Sequence, residues 1–257
     1  MIPAASIGWL VTLFGLMVGS FLNVCIYRLP RGESIVFPPS RCPGCKAPIS
    51  WYHNVPVFGW LVLRGKCTSC RAPISARYPI VEALTGALFL LHYLVIGPEW
   101  LLLPRLAFSA ALIVLFAIDL EHQILPDVIT LPGIAIGLAT SVVLPPGWVS
   151  SLVGIILGGG LPWALAELYF RVRGVEGLGF GDVKMLAMIG AVLGWPLMLL
   201  SLLIASFSGA IVGGALIAAG RGGRHLRLPF GTFLAVAAIA AGLFGEPVVE
   251  WYAGLLR

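Results

Sequence analysis

Charge is the scarcest property of this sequence. Asp, Glu, Lys and Arg together make up 11% of its 257 residues, against roughly 25% in an ordinary soluble domain. So few charges cannot cover the surface of a soluble enzyme of this length. Also missing is any Lys or Arg ahead of Arg28. The N-terminus therefore has no basic n-region and does not read as a cleaved signal peptide. No period of 20–50 residues recurs along the chain. A nucleotide loop is excluded as well. The glycines at 177, 179 and 181 follow Gly-x-Gly-x-Gly, no strand precedes them, and no Gly-Lys-Ser/Thr follows.

Apolar residues are abundant: 59% of the chain is hydrophobic and the mean hydropathy is +1.00. The runs predict an all-α, polytopic membrane bundle. About eight spans are expected, at 6–27, 79–97, 100–119, 128–145, 150–170, 183–197, 198–219 and 229–246, each near the length that a hydrocarbon slab of ~30 Å requires. The sixth and seventh share one apolar stretch divided only by Gly194-Trp195-Pro196, so seven spans is the alternative. Three regions result: a first span (1–27), a polar loop (28–78) and the remaining bundle (79–257). Glycine-rich stretches such as Gly154–Gly160 and Gly209–Ala215 are expected to let helices approach closely.

Basic residues set the orientation. Eight Lys/Arg lie between Arg28 and Arg77, and Arg171, Arg173, Lys184, Arg221, Arg224 and Arg227 come in later loops. With an external N-terminus, fourteen of the sixteen fall on the cytoplasmic side, leaving Arg105 and Arg257 opposite. The net charge of +5 reports topology and calls for no nucleic-acid partner.

The polar loop is too short for a comfortable core, and such modules usually need a metal or a staple. It holds Cys42-Pro-Gly-Cys45 and Cys67-Thr-Ser-Cys70. Two Cys-x-x-Cys pairs are the usual donor set of a structural zinc site. Two disulfides are the alternative, rare in a reducing cytoplasm. Cys25, inside the first span, reads as a small buried apolar residue.

Two acids stand where a membrane tolerates them poorly. Asp119 ends the apolar run from Leu106, and Asp182 closes Glu176-Gly-Leu-Gly-Phe-Gly-Asp182. The predicted topology puts both at the cytoplasmic surface. Paired carboxylates can share one proton and activate a water between them. The bland reading of Asp182 is an acid in a first helical turn, favoured by the dipole. Asp119, at a helix C-terminal end, has no such excuse. Asp127, after Pro126, reads as a cap for the fourth span, and Glu121 and His122 as solvated loop residues. A metal set of Asp119, His122 and Asp182 matches poorly the ligands metals prefer.

Together these residues resemble the type IV prepilin peptidases. The matching pieces run in family order over almost the whole chain: Gly19-Ser-Phe-Leu-Asn23-Val, the paired Cys-x-x-Cys loop, Arg77-Tyr-Pro-Ile-Val-Glu82, Ile118-Asp119-Leu-Glu-His-Gln-Ile-Leu-Pro126-Asp127, Glu176 to Lys184, and Pro229-Phe-Gly231. The resemblance implies an aspartic endopeptidase of the Gly-x-Gly-Asp type in the bacterial inner membrane, with Asp119 and Asp182 as its catalytic pair. It implies prepilin or type II secretion pseudopilin substrates, cut after a glycine on the cytoplasmic side beside an apolar helix. It further implies N-methylation of the new terminus with S-adenosylmethionine, for which the chain has no independent signature, and Cys42, Cys45, Cys67 and Cys70 as zinc ligands. A basic leader would suit Glu176, Glu121 or Asp127. The rival readings are an ion-coupled transporter using the same two acids and a scaffold whose loop recruits partners.

Overall fold

The computed structural model describes residues 4–42, 44–174, 179–220 and 228–255. Glu176, Gly177, Arg221, Arg224, Arg227 and Arg257, on which parts of the sequence reading rest, lie outside the described residues. Among the described residues no β-strand forms, only two isolated bridges in the polar loop. Helices dominate because a backbone in lipid must satisfy its own hydrogen bonds.

Among the described residues, six helices are long and apolar enough to cross a membrane. The expected eight are not reproduced by that measure, for two reasons. The helix at Asp127–Thr140 has 14 residues and is shorter than a full crossing. The expected sixth and seventh spans form one element, Phe180–Ala218, broken at Gly194.

The chain divides into two compact units, Met1–Leu102 and Leu103–Arg257. In the first, α1 (Ala4–Arg28) and α3 (Arg77–Ile96) pack antiparallel, with the short α2 (Phe58–Val62) in the loop between them. The contact is tight. A Cβ at Gly15 would lie 2.9 Å from Gly86 Cα, and one at Gly19 would lie 2.7 Å from Glu82 Cα. Polar groups gather where the loop leaves and re-enters this pair. Asn23 Nδ2 donates to the Tyr78 carbonyl at 3.1 Å. Buried Glu82 accepts the Val57 N–H at 2.7 Å, which fixes Val57 at a φ of 62°. Cys25 is buried and free, as its surroundings predict.

The second unit contains α4 (Leu102–His122), α5 (Asp127–Thr140), α6 (Trp148–Ile155), a π-helical segment (Ile156–Gly160), α7 (Leu161–Arg173), α8 (Phe180–Ala218) and α9 (Phe230–Leu255). Its core is built on α8: Met185, Ile189, Leu193 and Met198 meet Leu112 and Leu115 of α4 and Leu234 and Ala238 of α9. Glycines set the spacing. Cβ atoms at Gly154 and Gly158 would fall 2.4 Å from the Gly190 carbonyl oxygen and 2.6 Å from that of Leu186. The second glycine stretch packs more loosely: a Cβ at Gly213 would lie 3.0 Å from the Leu228 side chain, and one at Gly214 would meet open space.

Helix α8 reverses at Gly194, which has φ 79° and ψ 168°. Helix α9 acts as a ruler. Gly245, late in α9, faces Leu197 and Leu200, whereas Gly209 faces Phe233, early in α9. The second half of α8 therefore runs antiparallel to α9. The first half runs the other way, since Gly181 shares Leu125 with Gly231 while Leu193 faces Gly242. A side chain at Gly194 would strike Ser150 and Pro146, and Pro196 supplies no N–H to continue the helix.

Candidate active site

Asp119 occupies the last turn of α4, which stops three residues later. Gln123 takes a φ of 54° and donates its N–H to the Asp119 carbonyl at 2.9 Å. Pro126 then starts α5, so the turn forms where the proline predicts it. Asp182 sits in the first turn of α8, whose cap is Gly179. Its main-chain N–H bonds to the Gly179 carbonyl at 3.0 Å.

The two acids come together through the start of α9 and one leucine. Asp119 is 5% exposed, and its Oδ2 accepts the Thr232 N–H at 2.8 Å. The Gly231 N–H is directed at the same carboxylate. A Cβ at Gly231 would lie 2.9 Å from Asp119 Oδ2 and 3.1 Å from Leu125 Cδ1. The other side of Leu125 packs on Gly181, beside Asp182. Leu125 is thus the spacer between the two acid-bearing backbones, and the Asp119 charge reaches Asp182.

The glycines around Asp182 have specific local tasks. A Cβ at Gly179 would lie 3.1 Å from Asp182 Oδ2, and one at Gly181 would lie 3.1 Å from Leu125 Cβ. Any larger residue would move the carboxylate or the spacer.

Asp127 departs from its expected role. The α5 cap is Pro126, with no side-chain capping bond, and Asp127 is the first helical residue. Its carboxylate pairs instead with Lys184 of α8, whose ammonium also lies 4.8 Å from the Phe180 ring centroid. A cap needs its side chain turned back onto its own helix, and a cation across the interface draws it away. Glu121 and His122 are exposed in the last turn of α4 rather than in a loop. Sequence reading assigns Thr232 no role and includes Gly231 without one. Their contribution is main-chain N–H, which no side-chain pattern encodes.

The cysteine cluster belongs to the first unit. All five cysteines are free. Sγ atoms of Cys42 and Cys70 stand 3.8 Å apart, those of Cys45 and Cys67 3.9 Å, far beyond a disulfide bond of about 2.05 Å. All four sulfurs lie within 4.8 Å of one another, and among the described residues they form the one group that could hold a metal ion. Two like turns build the site. Cys42 and Cys67 each accept from the residue after the second cysteine, Lys46 at 2.9 Å and Arg71 at 3.0 Å, both at positive φ. The sequence carries the duplication that reading by period missed: Cys-x-x-Cys-(Lys/Arg)-Ala-Pro-Ile-Ser occurs at 42–50 and again at 67–75. Main-chain N–H groups of Cys70 and Ser69 at the Cys67 sulfur lower its pKa to about 6, while the neighbouring thiols push Cys70 up to about 11, so the cluster holds its protons jointly.

Comparison with known proteins finds a family match within each of the two units. Residues 13–96 match the bacterial peptidase A24 N-terminal domain, and residues 106–214 match the type IV leader peptidase family. A prepilin leader peptidase/N-methyltransferase of Aeromonas hydrophila is 38% identical over 270 residues, covering 95% of this chain and 92% of that protein. Proteins of the same name from Pseudomonas aeruginosa and Myxococcus xanthus are 35% and 44% identical, covering 93% and 81% of this chain and 91% and 63% of their own. No solved structure matches. Nothing in these matches supports the transporter reading. With two family models spanning most of the sequence and relatives of this identity aligned nearly end to end, the chain belongs to the type IV leader peptidase family.

Proposed function

We propose that this multi-pass membrane protein is an aspartic endopeptidase that removes the leader of type IV prepilins or pseudopilins and then N-methylates the new terminus. The observation that carries the reading is the meeting of Asp119 and Asp182 across Leu125. Two neighbouring carboxylates hold one proton between them. The ionised partner takes a proton from a water as its oxygen attacks the scissile carbonyl, while the protonated partner donates a hydrogen bond to the carbonyl oxygen. Collapse of the tetrahedral adduct breaks the C–N bond, and the amine leaves with a proton returned by the pair. The Thr232 and Gly231 N–H groups keep the Asp119 carboxylate aimed during these transfers.

Zinc is the metal that suits the four cysteines. Sulfurs at about 2.3 Å from a tetrahedral zinc stand roughly 3.8 Å apart, the separation of the Cys42–Cys70 and Cys45–Cys67 pairs. With all positions filled, such a site folds residues 28–78 and does no chemistry. S-adenosylmethionine is the methyl donor implied by the relatives' names. The positive-inside pattern assigns the acids to the cytoplasmic face of the inner membrane, at the membrane surface, where an apolar substrate helix would present its leader.

The test uses purified protein reconstituted with a prepilin-like substrate. Asp119→Asn and Asp182→Asn are each expected to abolish cleavage. Cleavage at a near-normal rate in either variant removes the mechanism. A labelled methyl donor in the same assay reads the second activity.

A further inference from the structure

The second unit contains an elongated apolar groove that its own helices leave unfilled. Its volume is about 830 Å³. Leu161, Leu165 and Arg173 of α7 form one wall, Leu186 and Leu202 from the two halves of α8 form the floor, and Phe230 of α9 closes one end.

The groove exists because α7 departs from the bundle. Through α6 and the π segment the chain lies backbone to backbone on α8, at Gly154 against Gly190 and Gly158 against Leu186. The last glycine to face α8 is Gly159, where an added Cβ would lie 3.0 Å from the Ala187 Cβ. A Cβ added at Gly160 would meet only Ile156, on its own helix, and no residue of α7 is buried. A π segment shifts the helical register and re-aims the helix beyond it, and such segments are frequent at functional sites. Helix α7 therefore stands off α8 with Leu165 58% and Leu168 59% exposed. From Leu161 to Arg173 it runs roughly 18 Å at 1.5 Å per residue.

The groove leads to the acids. Phe230 lines it, and the next residue, Gly231, is the one whose backbone faces Asp119. Leu186 lines it one helical turn from Asp182.

We propose that this groove seats the apolar helix on the C-terminal side of the scissile bond, so that α7, the α8 hairpin and Phe230 measure the substrate into Asp119 and Asp182. The inference rests on the peptidase reading and adds the docking surface to it. An apolar helix packs there by van der Waals fit to the groove, since burial from lipid by itself gains nothing, and its end at Phe230 delivers the extended leader junction to the two carboxylates. Continuity with the acid pair selects a peptide helix over a lipid chain, which gains nothing from a groove ending at catalytic groups.

The experiment places a photo-crosslinking amino acid at Leu165 and, separately, at Val172 in the reconstituted full chain. Val143, exposed in the turn between α5 and α6 and outside the groove, is the control. The probe is a peptide with a basic leader, a glycine and an apolar helix. Light-dependent adducts on the apolar helix are expected from 165 and 172 and not from 143. Adducts to lipid alone, to a second copy of the chain, or equally from 143 overturn the proposal. A second measurement fills the groove with Ala166→Trp and Leu202→Trp. The ratio of kcat/KM for the helix-bearing peptide to that for a peptide ending just past the scissile bond is expected to fall at least tenfold, and an unmoved ratio in variants with unchanged Tm rejects the groove. Adduct formation needs no turnover, so Asp119→Asn separates the outcomes. If that variant still cleaves, the peptidase mechanism falls whatever the adducts show. If it is inactive and adducts are absent, only the groove falls.

Discussion

The Thr232 N–H donates to Asp119 Oδ2 at 2.8 Å, and this one bond ties the C-terminal turn of α4 to the first turn of α9. It places a buried acid by main chain alone. The adjacent Gly231 leaves the carboxylate its room, since a Cβ there would stand 2.9 Å from Oδ2.

Gly231→Ala should therefore lower kcat by about a hundredfold, the scale expected when a reacting group is displaced by an ångström. Its Tm should stay within a few degrees of the parent. Single-turnover cleavage beside a thermal melt checks this, and a fully active alanine variant contradicts the placement of Asp119.

The glycines of α6 and the π segment should differ sharply in tolerance. Gly154→Ala would put a methyl 2.4 Å from the Gly190 carbonyl oxygen. Separating two packed helices should cost about 1–3 kcal/mol. Gly160→Ala meets only Ile156 at 3.9 Å and should be neutral or stabilising by up to about 1 kcal/mol. Melting of the two variants in the same detergent decides it.

Removing a cysteine should open the polar loop. Wild-type protein purified without chelator should carry about one zinc per chain, by the four-thiolate stoichiometry. Cys42→Ser and Cys67→Ser should lose it and expose residues 28–78 to limited proteolysis. Metal analysis of the purified proteins reads the first effect and digestion time courses the second. Metal-free wild-type protein with an intact, protease-resistant loop would refute the assignment.

Glu82 should prove structural through the bonds it accepts from the Val57 N–H and the Ser20 hydroxyl. It is buried at 7% exposure and accepts the Val57 N–H at 2.7 Å. Glu82→Ala leaves that donor without an acceptor and should cost about 1–3 kcal/mol. Glu82→Gln keeps an acceptor and should cost less. Equal loss of Tm in the two variants would mean that the carboxylate charge matters and the bond does not.

Much of the architecture was legible because lipid enforces a simple code. Long apolar runs must be helices, and the runs at 6–27, 79–97 and 100–119 coincide closely with α1, α3 and α4. The break at Gly194-Trp195-Pro196 was legible too, because a proline beside a glycine cannot continue a helix. The two successive spans expected on either side of it, with seven spans in all as the alternative, imply the reversal that α8 makes at Gly194. Asp127 misled for a local reason: its position beside a proline reads as a cap, while its partner, Lys184, lies 57 residues away.

The sequence by itself determined the chemistry on offer: a membrane bundle, two carboxylates at the ends of apolar runs and four thiols in one loop. Composition and spacing are enough for that, because burying charge in lipid is so costly that surviving acids stand out. Only the tertiary structure decided how the acids meet, with Leu125 between glycine backbones and the Thr232 N–H on Asp119. It alone decided that α7 stands clear of α8 to leave a groove. Both outcomes depend on main-chain approach and helix direction, which arise from packing between segments distant in sequence.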